Sequence, residues 1–282
     1  TTPVKAPGKY FPELVTERSL DFIEESKEKP FFLYFPLNIP HYPEQAPKKF
    51  AEPFKDMKDP ARKSYATIMH ATDHYIGRVV DKIEELGLSK DTLFIYMSDN
   101  GHSEETGNRI RVDNHKSGHP KGHFYGASGG GYTGKWKGQK GSFLEGGIRV
   151  PAVISFPAKL PKGETRDQIV TSMDWLPTVM ELCEIEGKKD DPELDGHSLL
   201  PLIRSAKAES GYGEVLHFQW HTQWAVRKGE WKLIGRETKA SFLGNVNDEQ
   251  PERKNYAKEK PELVARLLEM HQKWSAEVKP AK

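Results

Sequence analysis

Residues 140–151 read Lys-Gly-Ser-Phe-Leu-Glu-Gly-Gly-Ile-Arg-Val-Pro, a glycine-punctuated turn headed by one lysine. Residues without a Cβ let backbone amides crowd a tetrahedral anion while an ammonium adds a point charge, so Lys140 is a candidate anion-binding residue. Upstream, Ser98-Asp-Asn-Gly presents Asp99 and Asn100, two hard oxygen donors of the kind that calcium or magnesium takes. Asp-Asn-Gly is also a favoured tight-turn sequence. The metal reading rests on its surroundings: an apolar strand in front, a glycine-rich loop behind and the lysine turn downstream. His41 stands in Asn38-Ile-Pro-His-Tyr-Pro, between prolines that stiffen its backbone. An imidazole with an unperturbed pKa of about 6.5 can donate a proton near neutral pH, the alternative being an ordinary loop histidine. No residue in the sequence has the setting of an activated nucleophile.

Other patterns carry less. His115, His119 and His123 recur at every fourth residue, but Gly118, Pro120 and Gly122 break the helix that would gather them around zinc. Gly129-Gly-Gly-Tyr-Thr-Gly-Lys-Trp approaches a phosphate-binding P-loop, yet Trp136 replaces the hydroxyl residue that would hold magnesium. Cys183 is the only cysteine, which excludes an intrachain disulfide. Its amphipathic neighbourhood predicts a buried packing thiol.

These residues need elements to hold them. Apolar spacing predicts helices over residues 12–28, 61–86 (with Gly87 as its stop) and 172–185. Phe31–Phe35, Thr92–Met97 and Ala152–Phe156 read as buried strands of a parallel or mixed sheet covered by helices. Ser98-Asp-Asn-Gly then sits at the carboxyl end of a strand, where open α/β sheets place their ligands. Residues 101–141 hold eleven glycines and four histidines with little apolar periodicity and read as one long functional loop. After about residue 212, short aromatic segments broken at Lys228-Gly-Glu predict a small antiparallel sheet, followed by a polar loop and a helix from Pro261 to about Val278. The charged stretches 48–63 and 248–260 read as solvated surface. The expected organisation is an α/β domain over residues 1–208 and a small α+β subdomain over 209–282.

The 282 residues carry 42 basic and 41 acidic side chains, so no overall field favours nucleic acid, and anion recognition must be local. No apolar run approaches the roughly 18 residues that a membrane span needs.

With these motifs in view, the chain resembles the formylglycine-dependent sulfatases of the alkaline phosphatase superfamily, from about residue 10 to about residue 280. The likeness rests on Pro30-Phe-Phe-Leu-Tyr-Phe with His41-Tyr-Pro, Ser98-Asp-Asn-Gly, Gly138-Gln-Lys-Gly-Ser-Phe-Leu-Glu-Gly-Gly-Ile-Arg-Val-Pro, Asp174-Trp-Leu-Pro-Thr and Ala225-Val-Arg-Lys-Gly-Glu-Trp-Lys-Leu. It implies an alkaline-phosphatase-like mixed sheet, here partial, and hydrolysis of sulfate esters of a carbohydrate or aryl compound. It further implies calcium, or magnesium, on Asp99 and Asn100, sulfate on Lys140, and His41 as leaving-group acid. Asp99 would also polarise the hydrated aldehyde, while Glu145 and Arg149 brace the Gly-Gly turn by an ion pair. Asn100, where phosphatases and phosphonate hydrolases of the superfamily usually carry His, favours sulfate.

Family members carry an N-terminal Cys-x-Pro-x-Arg segment, whose cysteine, or a serine in its place, becomes formylglycine, with two metal-binding aspartates and a further Lys and His pair. None of these is in this sequence. The chain is therefore expected to be the C-terminal portion of a longer enzyme, inactive without that segment as partner. The resemblance alone suggests a periplasmic or extracellular setting. His102, His115, Lys116, His119, His123, His217 and His221 are expected to line the rim that chooses the alcohol or sugar. The rival readings are a non-catalytic module that holds sulfated glycans on Tyr132, Trp136, Trp220 and Trp224, and a phosphoester or phosphonate hydrolase of the same superfamily.

Overall fold

The computed structural model describes residues 8–41, 44–103, 131–213 and 215–278. His115, Lys116, His119 and His123 lie outside them. The chain forms two compact units, residues 1–134 with 150–156, and residues 135–149 with 157–282. The expected boundary between residues 208 and 209 falls inside the second unit.

In the first unit, helices α1 (Phe11–Ser26) and α2 (Pro60–Glu85) pack against each other. Helix α2 begins where Asp59 accepts from the amides of Ala61 and Arg62 at 2.9 and 3.2 Å, ahead of a proline that has no amide hydrogen to leave unpaired. It ends at Gly87, whose φ of 70° lets Gly87 N reach Glu84 O and Leu88 N reach Ile83 O. One stretch of its inner face packs Ile68, Ala71 and Tyr75 with Ile39 and Phe50, and the next packs Val79 and Ile83 with Ile23. Strands β1 (Phe94–Met97) and β2 (Ala152–Ser155) pair antiparallel, with Met97 opposite Ala152.

Several sequence expectations are corrected here. Residues 31–35 form no strand, because no neighbouring strand among the described residues offers them a ladder. Phe31, Leu33 and Phe35 pack on the Ile23 cluster, whereas Phe32 and Tyr34 are 80% and 76% exposed, so only one face is covered. The charged stretch at 48–63 is not all solvated: Lys48–Phe54 is a 3-10 turn that buries Phe50. Cys183 is exposed, because it follows the last residue of its helix and Leu182 takes the inward position.

The second unit contains α3 (Glu145–Ile148), α4 (Trp175–Leu182), α5 (Leu200–Arg204) and a four-stranded antiparallel sheet, followed by α6 (Pro261–Glu277). The sheet runs in order β3 (Leu216–Trp220), β4 (Gln223–Lys228), β5 (Trp231–Arg236) and β6 (Lys239–Asn245). Gly229, with φ of 56°, makes the predicted Lys228-Gly-Glu turn. Strand β6 replaces part of the expected polar loop. Its Leu243 is buried with Trp224, Val226, Leu233 and Leu267, the last from α6. Trp224 is thus a core residue, and no sugar platform.

Candidate active site

The expected site residues divide between the two units. His41, Asp99, Asn100 and His102 belong to the first; Lys140, His217 and His221 belong to the second.

In the first unit the ladder extends one residue past β1, as Ser98 N donates to Pro151 O at 3.3 Å. The turn that follows is closed by its own side chains. Ser98 Oγ donates to Asn100 O at 3.0 Å, Asn100 N to Asp99 Oδ1 at 3.0 Å, and Asn100 Nδ2 to Gly101 O at 2.9 Å. Asp99 Oδ2 and Asn100 Oδ1 are left without a hydrogen bond among the described residues. Two hard oxygens on adjacent residues at a strand end suit calcium or magnesium as part of a ligand set, and calcium takes about six to eight. Among the described residues no group of three or more His, Cys, Asp or Glu gathers to complete it.

His41 is exposed and follows the cis Ile39–Pro40 bond, with Ile39 anchored in the Phe50, Ile68 and Tyr75 core. His102 buries Nδ1 without a hydrogen-bond partner and lies so close to Gly131 that a Cβ there would stand 2.7 Å from its own Cβ.

The lysine turn is built more completely. Ser142 N and Ser142 Oγ both reach Gln139 O, at 3.0 and 2.9 Å, closing a four-residue turn with Lys140 and Gly141 at its centre. Gly141 has φ of 87°, the conformation that the third position of a type II turn requires. Behind it, α3 packs backbone to backbone. A Cβ on Gly146 would stand 2.3 Å from Gly138 O, and one on Gly147 2.3 Å from Ser142 O. Only hydrogen fits at either place.

Glu145, at the start of α3, is almost fully buried and forms the expected ion pair with Arg149 at 3.3 Å. Two partners from the sheet were not foreseen: Lys232 Nζ at 2.6 Å and Arg227 Nη1 at 3.3 Å. Burial alone pushes the Glu145 carboxyl up, but Lys232, then Arg227 and Arg149, outweigh it and hold the group below the usual carboxylate range. Arg149 also lies 4.1 Å from the ring centre of Trp136, which ties the segment before the turn to the segment after it. The sequence offered one signal for Lys232, a lone charge inside the apolar run Trp231-Lys-Leu-Ile.

His217 packs inward. Its ring stacks on Trp274 of α6 at 4.8 Å, its Nδ1 is buried without a partner, and burial, aided by His271, pushes its pKa down to about 4. His221, at the tip between β3 and β4, sits beside Trp220, which is 55% exposed.

The family model described as Sulfatase matches residues 1–185, and that of N-sulphoglucosamine sulphohydrolase, C-terminal, matches residues 136–274. The chain belongs to the sulfatase family. Human arylsulfatase D is 30% identical to this sulfatase-family chain over 217 residues, which is 74% of this chain and 33% of the relative. The chain thus spans about a third of the length of the curated relatives it matches. The crystal structure of Ps i-CgsB in complex with k-i-k-neocarrahexaose superposes with a TM-score of 0.78 at 25% identity, covering 97% of this chain and 58% of that one. A phosphonate monoester hydrolase of Agrobacterium radiobacter has a TM-score of 0.66 at 16% identity over 98% of this chain and 62% of that one, a likeness of fold alone. The mixed α/β architecture is accordingly that of the alkaline-phosphatase-like sulfatases.

Proposed function

We propose that this chain carries the sulfate-binding lysine and part of the metal site of a sulfuric ester hydrolase acting on a sulfated carbohydrate. The observation that carries the reading is the Lys140 turn, whose lysine is raised between left-handed glycines and backed by a buried carboxylate clamp. Lys140 binds the sulfuryl oxygens, and His41 donates a proton to the departing alcohol oxygen. Asp99 and Asn100 would hold a calcium or magnesium ion, which supplies positive charge toward the sulfuryl oxygens when bound. Formylglycine, where a sulfatase has it, supplies the attacking oxygen. This sequence contains neither a Cys-x-Pro-x-Arg nor a Ser-x-Pro-x-Arg segment, so the chain by itself should turn over nothing.

A carbohydrate substrate is supported by the structural relative that was crystallised with a neocarrahexaose and by the exposed Trp220 and Tyr132, rings suited to a sugar face. His102 and His221 are proposed as rim residues, and His217, on β3 itself, as a supporting one.

Calorimetric titration with inorganic sulfate tests the anion site. Lys140→Ala should weaken binding by about tenfold or more, as loss of a charged hydrogen-bond donor does. Equal binding by the variant and the parent chain would sink the proposal, and tighter binding of inorganic phosphate than of sulfate would favour the phosphoester reading. Release of phenol from an aryl sulfate by the 282-residue chain alone would refute its inactivity.

A further inference from the structure

Lys232 is fully buried, between Trp231 and Leu233 on β5. A buried ammonium is costly unless fully compensated, so its surroundings state what it holds. Its Nζ donates to Phe143 O at 2.9 Å and to Glu145 Oε1 at 2.6 Å, and lies 2.9 Å from Glu252 Oε1 in an ion pair that lacks the alignment of a hydrogen bond. Glu252, also fully buried, accepts from Glu145 N through its other oxygen at 2.7 Å. Glu252 holds a φ of 57°, unusual for a residue with a Cβ. Its carboxylate therefore sits where an unfavoured backbone conformation places it.

Phe143 and Glu145 are three and five residues beyond Lys140. The carbonyl of one and the amide and carboxylate of the other are all taken by this pair. A carbonyl and an amide flanking one residue, the first held by Lys232 of β5 and the second by Glu252 of the turn after β6, fix the direction in which the chain leaves the lysine turn. The glycines add to this, since Gly146 N donates to Lys137 O at 2.7 Å, on the other side of the turn.

We propose that Lys232, with Glu252, is a positioning residue for Lys140: the pair sets the conformation of the turn and with it the affinity of the site for a sulfate-sized anion. The inference rests on the reading of Lys140 as the anion-binding residue. It gives the Arg-Lys-Gly-Glu-Trp-Lys-Leu segment of the sheet a task in the site, since its Arg227 and Lys232 both end on Glu145.

The test uses the full chain with inorganic sulfate as probe, hydrogen exchange at the Gly146 and Gly147 amides, and urea unfolding. Lys232→Met should loosen exchange at both amides and weaken sulfate binding by about tenfold, the loss expected when a charged hydrogen bond is removed. Because that variant leaves a buried carboxylate short of a partner and could fail to fold, Lys232→Met with Glu252→Gln is the second variant. It should regain stability, since the unpaired charge is gone, while sulfate affinity stays low. Recovery of sulfate affinity together with stability would reduce the pair to a structural role and overturn the proposal. So would unchanged exchange at Gly146 and Gly147 in Lys232→Met. If the parent chain binds no sulfate while Lys232→Met still loosens those amides, the anion reading of Lys140 falls and the positioning of the turn stands.

Discussion

Gly147 and Gly141 lie six residues apart and are needed for different reasons. At Gly147 the φ is ordinary, but the space is filled by the carbonyls of Ser142 and Gln139. At Gly141 the space is open, but the φ of 87° suits no side chain. Gly141→Ala should therefore cost about 1 kcal/mol in urea unfolding, the usual penalty for that conformation. Gly147→Ala should cost about 1–3 kcal/mol, because backbone rather than a flexible side chain must move. Equal costs would mean that the turn yields at Gly147. Asp174 poses a third single-residue case. Fully buried, it accepts from Thr171 N at 2.6 Å, His197 N at 2.8 Å and Tyr212 Oη at 2.6 Å, tying three segments together. An amide there turns an NH2 toward a donor. Asp174→Asn should cost about 2–4 kcal/mol by the same measurement, as buried charged hydrogen bonds lose a partner, and a loss below the scatter of surface substitutions would refute this account.

Helix α6 is held to its sheet by rings as well as aliphatic side chains. His271 stacks on Trp224 at 4.3 Å and lies 6.0 Å from His217, which stacks on Trp274. Burial pushes both imidazoles down, His217 to about 4, so folding disfavours their charged forms. As pH falls below about 6.5, the unfolded chain takes up protons first. Stability is whole above that value and declines as pH falls toward 4, by up to about 3 kcal/mol for His217. His217→Phe should flatten that part of the pH–stability curve measured by urea unfolding; an unchanged slope would exclude His217 as its source. The same element marks how far the sequence could be read. Its apolar spacing announced α6, and turn residues announced three of the four strands. Strand β6 was missed because Lys239-Ala-Ser-Phe-Leu-Gly-Asn mixes small and polar residues, and only its partner β5 makes it a strand. The lysine turn was legible because glycine spacing is a local signal. Its clamp was not, because Glu252 lies 107 residues from the amide that it accepts, in a stretch that reads as plain surface.

At the scale of the whole chain, the oxygen donors Asp99 and Asn100 belong to one compact unit and the Lys140 ammonium to the other. Opposite charges nearly cancel over the chain, so it carries no broad field that would draw an anion. The chemistry of donors and ammonium is not equally self-sufficient. The Lys140 turn has its supports inside its own unit, from Arg149 to Glu252, and should bind an anion whenever that unit is folded. A divalent cation is a different demand. Protein sites that supply six to eight oxygens span about 10⁻⁹ to 10⁻³ M in calcium affinity. Asp99 and Asn100 offer two donors, and the described residues gather no further acidic cluster around them. Calcium at about 1 mM should then sit below its dissociation constant and stabilise the chain by less than about 0.5 kcal/mol. Thermal unfolding with and without calcium, against Asp99→Ala as control, checks this. A calcium-dependent rise in the unfolding temperature that Asp99→Ala removes would mean that the chain completes the metal site from its own residues.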